Sequence, residues 1–268
     1  PLPAAPECPP IALEGGLVLP LPGRLEWLAE KGGPGNVEAF LLAIEGEGEQ
    51  SPKWRFATRV DPELFAVADD AGTLRVIRLR SEPLPHLAEV ASLALDVPPS
   101  QPMDVIEGRI ALALGNRVQL LDPSGLRTVA EATTDGPVTG GPWAAGPVVF
   151  VQDGSRALVA FDGASLEERW RTKLDAPVAG RPLPSSAGWT VATQVGTVVA
   201  LGEDGAETHR ASLGAPLTGL LAIGETVVAT SLDGSLYPVS FSGGTPPAAE
   251  PAPATEPPAA DESAEEAP

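Results

Sequence analysis

Residues 135–174 read DGPVTGGPWAAGPVVFVQDGSRALVAFDGASLEERWRTKL, and residues 175–213 read DAPVAGRPLPSSAGWTVATQVGTVVALGEDGAETHRASL. Set one above the other, they share a grammar. A short segment follows x-Pro-Val, then comes an apolar strand (VVFV, TVAT), a Gly-containing turn (QDGS, QVGT), and a returning apolar strand (ALVAF, VVAL). A polar bend and a more charged strand complete each unit. A third copy, GAPLTGLLAIGETVVATSLDGSLYPVSF (214–241), stops before its last strand. Pro137, Pro177 and Pro216 occupy one repeat position, and Gly154, Gly196 and Gly234 align as the hairpin glycines, supplying the positive φ of a tight turn.

The same pattern continues upstream in weaker form. Segment 98–134 keeps the strand IALAL, a Gly115-Asn116 turn and the strand VQLL; segment 53–79 offers FAVA, the turn DDAG and TLRVIRL. The earliest unit, 9–28, has LVLPL, a Pro22-Gly23 turn and RLEWL. The spacing from Gly23 to Gly72 is longer than the others, so an insertion near KGGPGN or a register with Gly35-Asn36 as the turn both remain open. No segment shows helix-length 3.6-residue periodicity. Repeats of about 40 residues, each a four-stranded antiparallel sheet, predict an all-β β-propeller of about six blades, or part of a seven- or eight-bladed ring. Because the last unit lacks its outer strand, an N-terminal segment is a candidate to supply it and clasp the ring; otherwise further blades lie elsewhere.

The expected organisation is an N-terminal extension (1–8), a propeller (9–242) and a Pro/Ala/Glu tail (243–268). The tail has no large apolar residue and no cation, so disorder is expected. The whole chain carries 36 acidic against 17 basic residues, net −19, which disfavours binding to phosphate backbones. Cys8 is the single cysteine, excluding an intrachain disulfide, a zinc-finger cluster or a CxxC; in PAAPECPP it reads as a free thiol in a poorly ordered start. No apolar run is long enough to cross a bilayer, GPVTGGPWAAGPVVFVQ being broken by Gly and Pro. A first residue of Pro rather than Met leads to the expectation of a processed or excised piece, with any membrane tether outside it.

The stretch AFDGASLEERWR (160–171) resembles the repeat of pyrroloquinoline-quinone (PQQ)-like propellers, A-L-D-x-x-T-G-K-x-x-W-R. Ala160, Asp162, Ser165, Trp170 and Arg171 match, and Leu166 stands where that repeat has Gly. AIEGEGEQSPKWRF (43–56) is a looser echo, with Trp54 as the tryptophan. The resemblance implies that Trp170 wedges between adjacent blades, a structural role. It also implies a choice between quinoprotein dehydrogenases and non-catalytic relatives, such as the propeller lipoprotein of the outer-membrane β-barrel assembly machinery or propeller domains of membrane-bound kinases. The dehydrogenases place a cysteine pair over the cofactor and hold calcium through carboxylate and amide ligands. One Cys and two Asn (Asn36, Asn116) do not build that platform, so no cofactor is expected.

Other chemistry is sparse. His86 and His209 are the only histidines and fall on expected bends or outer strands; no G-x-S-x-G, H-E-x-x-H, P-loop or EF-hand pattern occurs. The acidic spots EGEGEQ (45–50) and Asp69-Asp70 read as solvated loops rather than calcium ligands. Asp153, Asp162, Asp204 and Asp233 each precede Gly and read as turn residues, while Trp27, Trp143 and Trp189 read as core. No catalytic or metal residue is assigned. The expected function is a non-catalytic scaffold for protein–protein interaction, extracytoplasmic in the periplasm or envelope, with an unidentified protein partner and no nucleic acid. A sensor ectodomain of a larger membrane protein and a propeller-type enzyme stand as the alternatives.

Overall fold

The computed structural model describes residues 4–31, 36–42, 51–186, 188–224 and 226–239. These residues form only strands, turns and bends, arranged as six antiparallel sheets in chain order. The first sheet is β1 (Ile11–Leu13), β2 (Gly16–Leu21), β3 (Arg24–Ala29) and β4 (Phe40–Leu41). The second is β5 (Trp54–Arg59), β6 (Leu64–Asp69), β7 (Thr73–Arg80) and β8 (His86–Ala94); the third is β9 (Asp104–Ile106), β10 (Arg109–Leu114), β11 (Arg117–Asp122) and β12 (Arg127–Thr133). The fourth comprises β13 (Val138–Ala145), β14 (Val148–Asp153), β15 (Ala157–Asp162) and β16 (Glu168–Lys173). The fifth comprises β17 (Leu183–Ser185), β18 (Gly188–Ala192), β19 (Thr197–Leu201) and β20 (Glu207–Ser212). The sixth has three described strands, β21 (Leu217–Ile223), β22 (Thr226–Ser231) and β23 (Leu236–Val239).

Neighbouring sheets pack face to face, which explains why the middle strands carry apolar residues on both sides. All six residues of β6 and β14 and all five of β18 and β19 are buried. Separate apolar clusters join sheets one and two (around Trp54 and Phe65), two and three (Leu74, Ile110), three and four (Val149, Leu166), four and five (Phe150, Trp189), and five and six (Val198, Leu217). The sequential wrapping of one antiparallel sheet after another is that of a β-propeller.

The first repeat keeps its shorter register. Strands β2 and β3 turn at Pro22-Gly23, with Leu21 opposite Arg24, and the extra length lies between β3 and β5. Two expectations are corrected. Ile11–Leu13 pairs with β2 inside the first sheet, so the N-terminal segment does not supply the missing outer strand of the sixth. Cys8 is buried in the first seam rather than lying in loose chain. The amide of Glu7 donates to the Pro20 carbonyl at 2.8 Å, and burial, followed by the Glu7 charge, pushes the Cys8 thiol up to about 11. Trp54 sits on β5, the first strand of its sheet. Its indole Nε1 donates to the carbonyls of Leu21 and Arg24 at 2.9 and 3.1 Å, pinning the second sheet to the first hairpin. The acidic run 45–50 and the tail 243–268 lie outside the described residues.

The hairpin alignment also shifts by two residues. The amides of Gly72, Gly196 and Gly234 donate to the carbonyls of Asp69, Thr193 and Ser231, closing equivalent turns. In the fourth sheet the same bond is made by Arg156 to Asp153, and Arg156, not Gly154, takes the positive φ of 67°. Asp153 caps this turn as Asp69 and Thr193 cap theirs: its Oδ1 accepts from Ser155 N and Oγ and from Ala157 N, at 2.9, 2.6 and 3.1 Å. A left-handed arginine carries a strain of about 1 kcal/mol that glycine would not. At Gly196, by contrast, φ is 94° and an added Cβ would lie 2.5 Å from the Ala215 carbonyl oxygen. Thermal denaturation should therefore separate the two turns. Arg156→Gly is expected to leave the melting temperature unchanged or raise it, whereas Gly196→Ala should cost about 2 kcal/mol or more; equal effects at both positions would contradict this assignment.

Candidate functional site

The residues that sequence singled out for chemistry are occupied in holding the sheets together. Trp170 projects from β16, is nearly fully buried, and belongs to the cluster between the fourth and fifth sheets. Its ring lies 5.6 Å from Phe150, which in turn meets Trp189 edge-on at 4.7 Å and 71°. Trp143 packs against the same group from β13. Across the seam, a Cβ at Gly205 would fall 2.5 Å from the Trp170 ring, and Thr172 Oγ1 donates to the Gly205 carbonyl at 2.5 Å. The glycine of the fifth sheet's turn is thus the floor on which the fourth sheet's tryptophan rests. Trp27 likewise fills the seam between the first and second sheets.

Asp162 organises the bend that delivers Trp170. Its Oδ1 accepts from Ala164 N at 2.9 Å, Ser165 N at 3.1 Å and Ser165 Oγ at 3.2 Å, and its Oδ2 pairs with Arg169 at 2.6 Å. These bonds, the one from Arg169 foremost, hold its carboxyl well below the usual carboxylate range. Leu166 then takes φ 56° where the family repeat has Gly, and its amide closes the bend onto the Asp162 carbonyl. The third sheet repeats the device with Asp122 and Leu126, at φ 53°. Both leucines bury their side chains in the seam toward the preceding sheet, a packing gain that offsets the backbone strain. Gly163 is needed for a different reason: a Cβ there would meet Ile106 of the third sheet at 2.2 Å.

Pro137, Pro177 and Pro216 occupy the connectors that lead into β13, the fifth sheet and β21, beside the hairpin turns. Gln194 N donates to the Pro177 carbonyl and Leu232 N to that of Pro216; the Pro137 ring lies beside Gly154. Sequence reading missed the acid that opens each connector. Asp96, Asp135 and Asp175 pair respectively with Arg117, Arg171 and Arg210, the last at 2.6 Å. Arg171 also meets the buried Asp153 at 3.4 Å and Glu168 at 2.9 Å. The guanidinium pKa values of Arg171 and Arg210 are raised by the hydrogen bonds they donate to Glu168 and Glu207 and by these acids. A second missed interaction spans three sheets. Asp104 Oδ2 on β9 accepts from Ala144 N of β13 at 2.8 Å and from Arg181, ahead of β17, at 2.6 Å. Its partners are 40 and 77 residues away, so no local motif announces it.

His86 begins the outer strand β8 and His209 lies within the outer strand β20, where sequence placed them. No group of three or more His, Cys, Asp or Glu with metal-holding geometry occurs among the described residues, nor a helix long and apolar enough to cross a membrane.

Residues 115–188 match the family model for the outer membrane protein assembly factor BamB, a span containing the Asp162–Trp170 bend. The repeats are PQQ-like and resemble those of BamB. The crystal structure of BamB from Moraxella catarrhalis superposes with a TM-score of 0.58 at 16% identity, covering 88% of this chain and 70% of that one. The BBS1 N-terminal domain, solved in complex with ARL6, gives 0.62 at 15% over 88% and 79%, and the computationally designed Ika8 gives 0.66 at 11% over 85% and 69%. At these identities the three structures establish the propeller fold. No curated protein is significantly similar in sequence.

Trp170→Ala should destabilise the fold by about 3–5 kcal/mol, in the range of large aromatic deletions from cores, with Trp170→Phe losing less; a Trp170→Ala protein melting like the parent would remove the wedge. The depressed carboxyl of Asp162 stabilises the fold at pH values above its unfolded pKa of about 3.9. That contribution is lost as pH falls through the lower folded value. Asp162→Asn should therefore melt below the parent at pH 7, with the difference narrowing only below about pH 4. A gap constant down to pH 2 would show that its charge is irrelevant.

Proposed function

We propose that this chain is a non-catalytic scaffold that binds a protein partner in the cell envelope. The observation that carries the reading is the division of labour in the ring. Asp104, Asp153 and Asp162, the acids with the most hydrogen bonds among the described residues, spend them on turns and seams, while apolar side chains stand out at hairpin tips. Val195 and Leu232, on the β18–β19 and β22–β23 turns, are 61% and 76% exposed. Both tips project from one end of their sheets, beside the connectors that hold Pro177 and Pro216. Exposed apolar groups on rigid turns suit protein recognition, since little conformational entropy is lost on docking. The net charge of −19 favours a partner with a basic patch and speeds its encounter at low salt. The match of residues 115–188 to the BamB family supports an envelope location and a role within an assembly.

Site-specific photocrosslinkers at Val195 and Leu232 test the reading in an envelope extract of the source cells. They should give a common adduct that an excess of unmodified protein competes away, while a crosslinker at Val129 on the outer strand β12 gives none. Equal labelling from all three positions, or turnover of a substrate by the purified chain, would overturn the proposal.

A further inference from the structure

Five Asp-Gly steps punctuate the chain: Asp135-Gly136, Asp153-Gly154, Asp162-Gly163, Asp204-Gly205 and Asp233-Gly234. Such a step is chemically poised. Glycine places no side chain beside its own amide nitrogen, which is then free to close onto the carboxyl carbon of the preceding aspartate. Folding decides whether it does. The nitrogen must lack a hydrogen bond, and the carboxyl must be mobile and transiently protonated.

Four of the five steps are locked. Oδ1 of Asp153, Asp162, Asp204 and Asp233 accepts from the amide two residues on, at 2.9, 2.9, 3.0 and 2.9 Å. In three of them the nucleophile is tied up as well: the amides of Gly163, Gly205 and Gly234 donate to the carbonyls of Pro147, Gly202 and Ser231, at 2.9, 3.0 and 3.1 Å. In the fourth, Asp153 is buried and holds Ser155 Oγ and Ala157 N besides. These bonds favour the charged carboxylate, which is the poorer electrophile. The bond from Arg169 foremost lowers the Asp162 carboxyl pKa, and the Ser235 amide lowers that of Asp233.

Asp135 differs on each count. Its side chain is 76% exposed and, among the described residues, pairs with Arg171 alone, while the amide of Gly136 has no hydrogen-bond partner there. A partly exposed pair of this kind holds weakly. The connector is anchored on either side instead. Thr134 and Val138 are buried, and their amides donate to the carbonyls of Asn116 and Gly115 at 2.9 and 2.8 Å. Asp135-Gly136 is the free bend between those two fixed points.

We infer that Asp135-Gly136 is a site of self-modification, at which Asp135 isomerises to isoaspartate. The Gly136 nitrogen attacks Asp135 Cγ. The new N–C bond replaces the Cγ–OH bond, and the hydroxyl leaves with the amide proton as one water. A second water opens the cyclic imide. Addition at Cγ restores aspartate, whereas addition at the main-chain carbonyl breaks the original peptide C–N bond and leaves the chain running through Cβ beside a free α-carboxylate. Only water is exchanged. The isoaspartyl connector is longer by one backbone atom, and its side-chain carboxylate is withdrawn from Arg171, which keeps Glu168 and Asp153.

The test incubates the purified chain near neutral pH and maps it with a protease that cleaves before aspartate but not before isoaspartate. A carboxyl whose pKa lies one pH unit lower is protonated about tenfold less often, so isoaspartate at 135 should exceed that at each other step by about tenfold or more. A chain held unfolded in guanidinium chloride should convert at all five. Gly136→Ala should suppress the yield at 135 severalfold in a folded protein, since its Cβ meets the Gly154 nitrogen at an ordinary 3.6 Å. Similar conversion at all five steps of the native protein, or a lead by any other step, would overturn the inference. So would an intact Asp135 under conditions that convert the unfolded chain, or a Gly136→Ala variant that isomerises like the parent.

Discussion

The constraint on which everything else depends is that a four-stranded sheet with apolar residues on both faces cannot stand alone in water. Burying a large apolar side chain is worth about 1.5–3 kcal/mol, and each middle strand here presents five or six residues that need cover on alternate sides. Stacking sheet upon sheet in sequence order meets the demand with short connections and no long-range crossover. Specificity then has to come from the seams. Between the fourth and fifth sheets it comes from shape: Phe150 is held between Trp170 and Trp189, and Gly205 leaves room for the Trp170 ring. Between the third and fourth it comes from Gly163 against Ile106 and from Leu166 turned inward by a left-handed backbone.

The repeat was legible because the features that recur in sequence are those with local physical causes. Pro137, Pro177 and Pro216 mark connectors, and glycine marks hairpins, so the fold could be read from spacing alone. The same locality explains the errors. Gly154 was aligned with Gly196 because glycine is the usual left-handed residue, but the residue that closes that turn onto Asp153 with a positive φ is Arg156. The hydrogen bonds of Trp54 to Leu21 and Arg24 cross 33 and 30 residues between the first two sheets, so no local motif announces them. Cys8 lay in a Pro-rich stretch that reads as loose chain, and only the folded first seam shows it covered. The Asp104–Arg181 pair depends on three sheets being in place, and nothing local encodes it.

The acidic composition also acquires a structural meaning. Asp96, Asp135 and Asp175 open successive connectors, and each is met by an arginine of the sheet that follows. Such partly exposed pairs contribute little stability individually, from nothing to about 1 kcal/mol. Their regular recurrence instead fixes where each connector lies, and with it the hairpins beside it. Asp153 goes further, for it is fully buried, satisfied by three donors of its own turn, and approached by Arg171. A carboxylate so engaged spends its hydrogen-bonding capacity inside the fold.

That engagement bears on function more than the want of a sequence motif does. Catalysis requires polar groups held near a substrate with hydrogen-bonding capacity left over. Here the well-ordered acids of the fourth and fifth sheets spend that capacity on turn amides and arginines, and the largest aromatic group is enclosed within a seam. The groups left free are apolar tips on short hairpins and the two terminal sheet faces. Both kinds of surface are suited to covering by protein, but they differ in what they require. The tips Val195 and Leu232 are isolated points, whereas Leu221, Ile223 and Leu236 stand together on one sheet face.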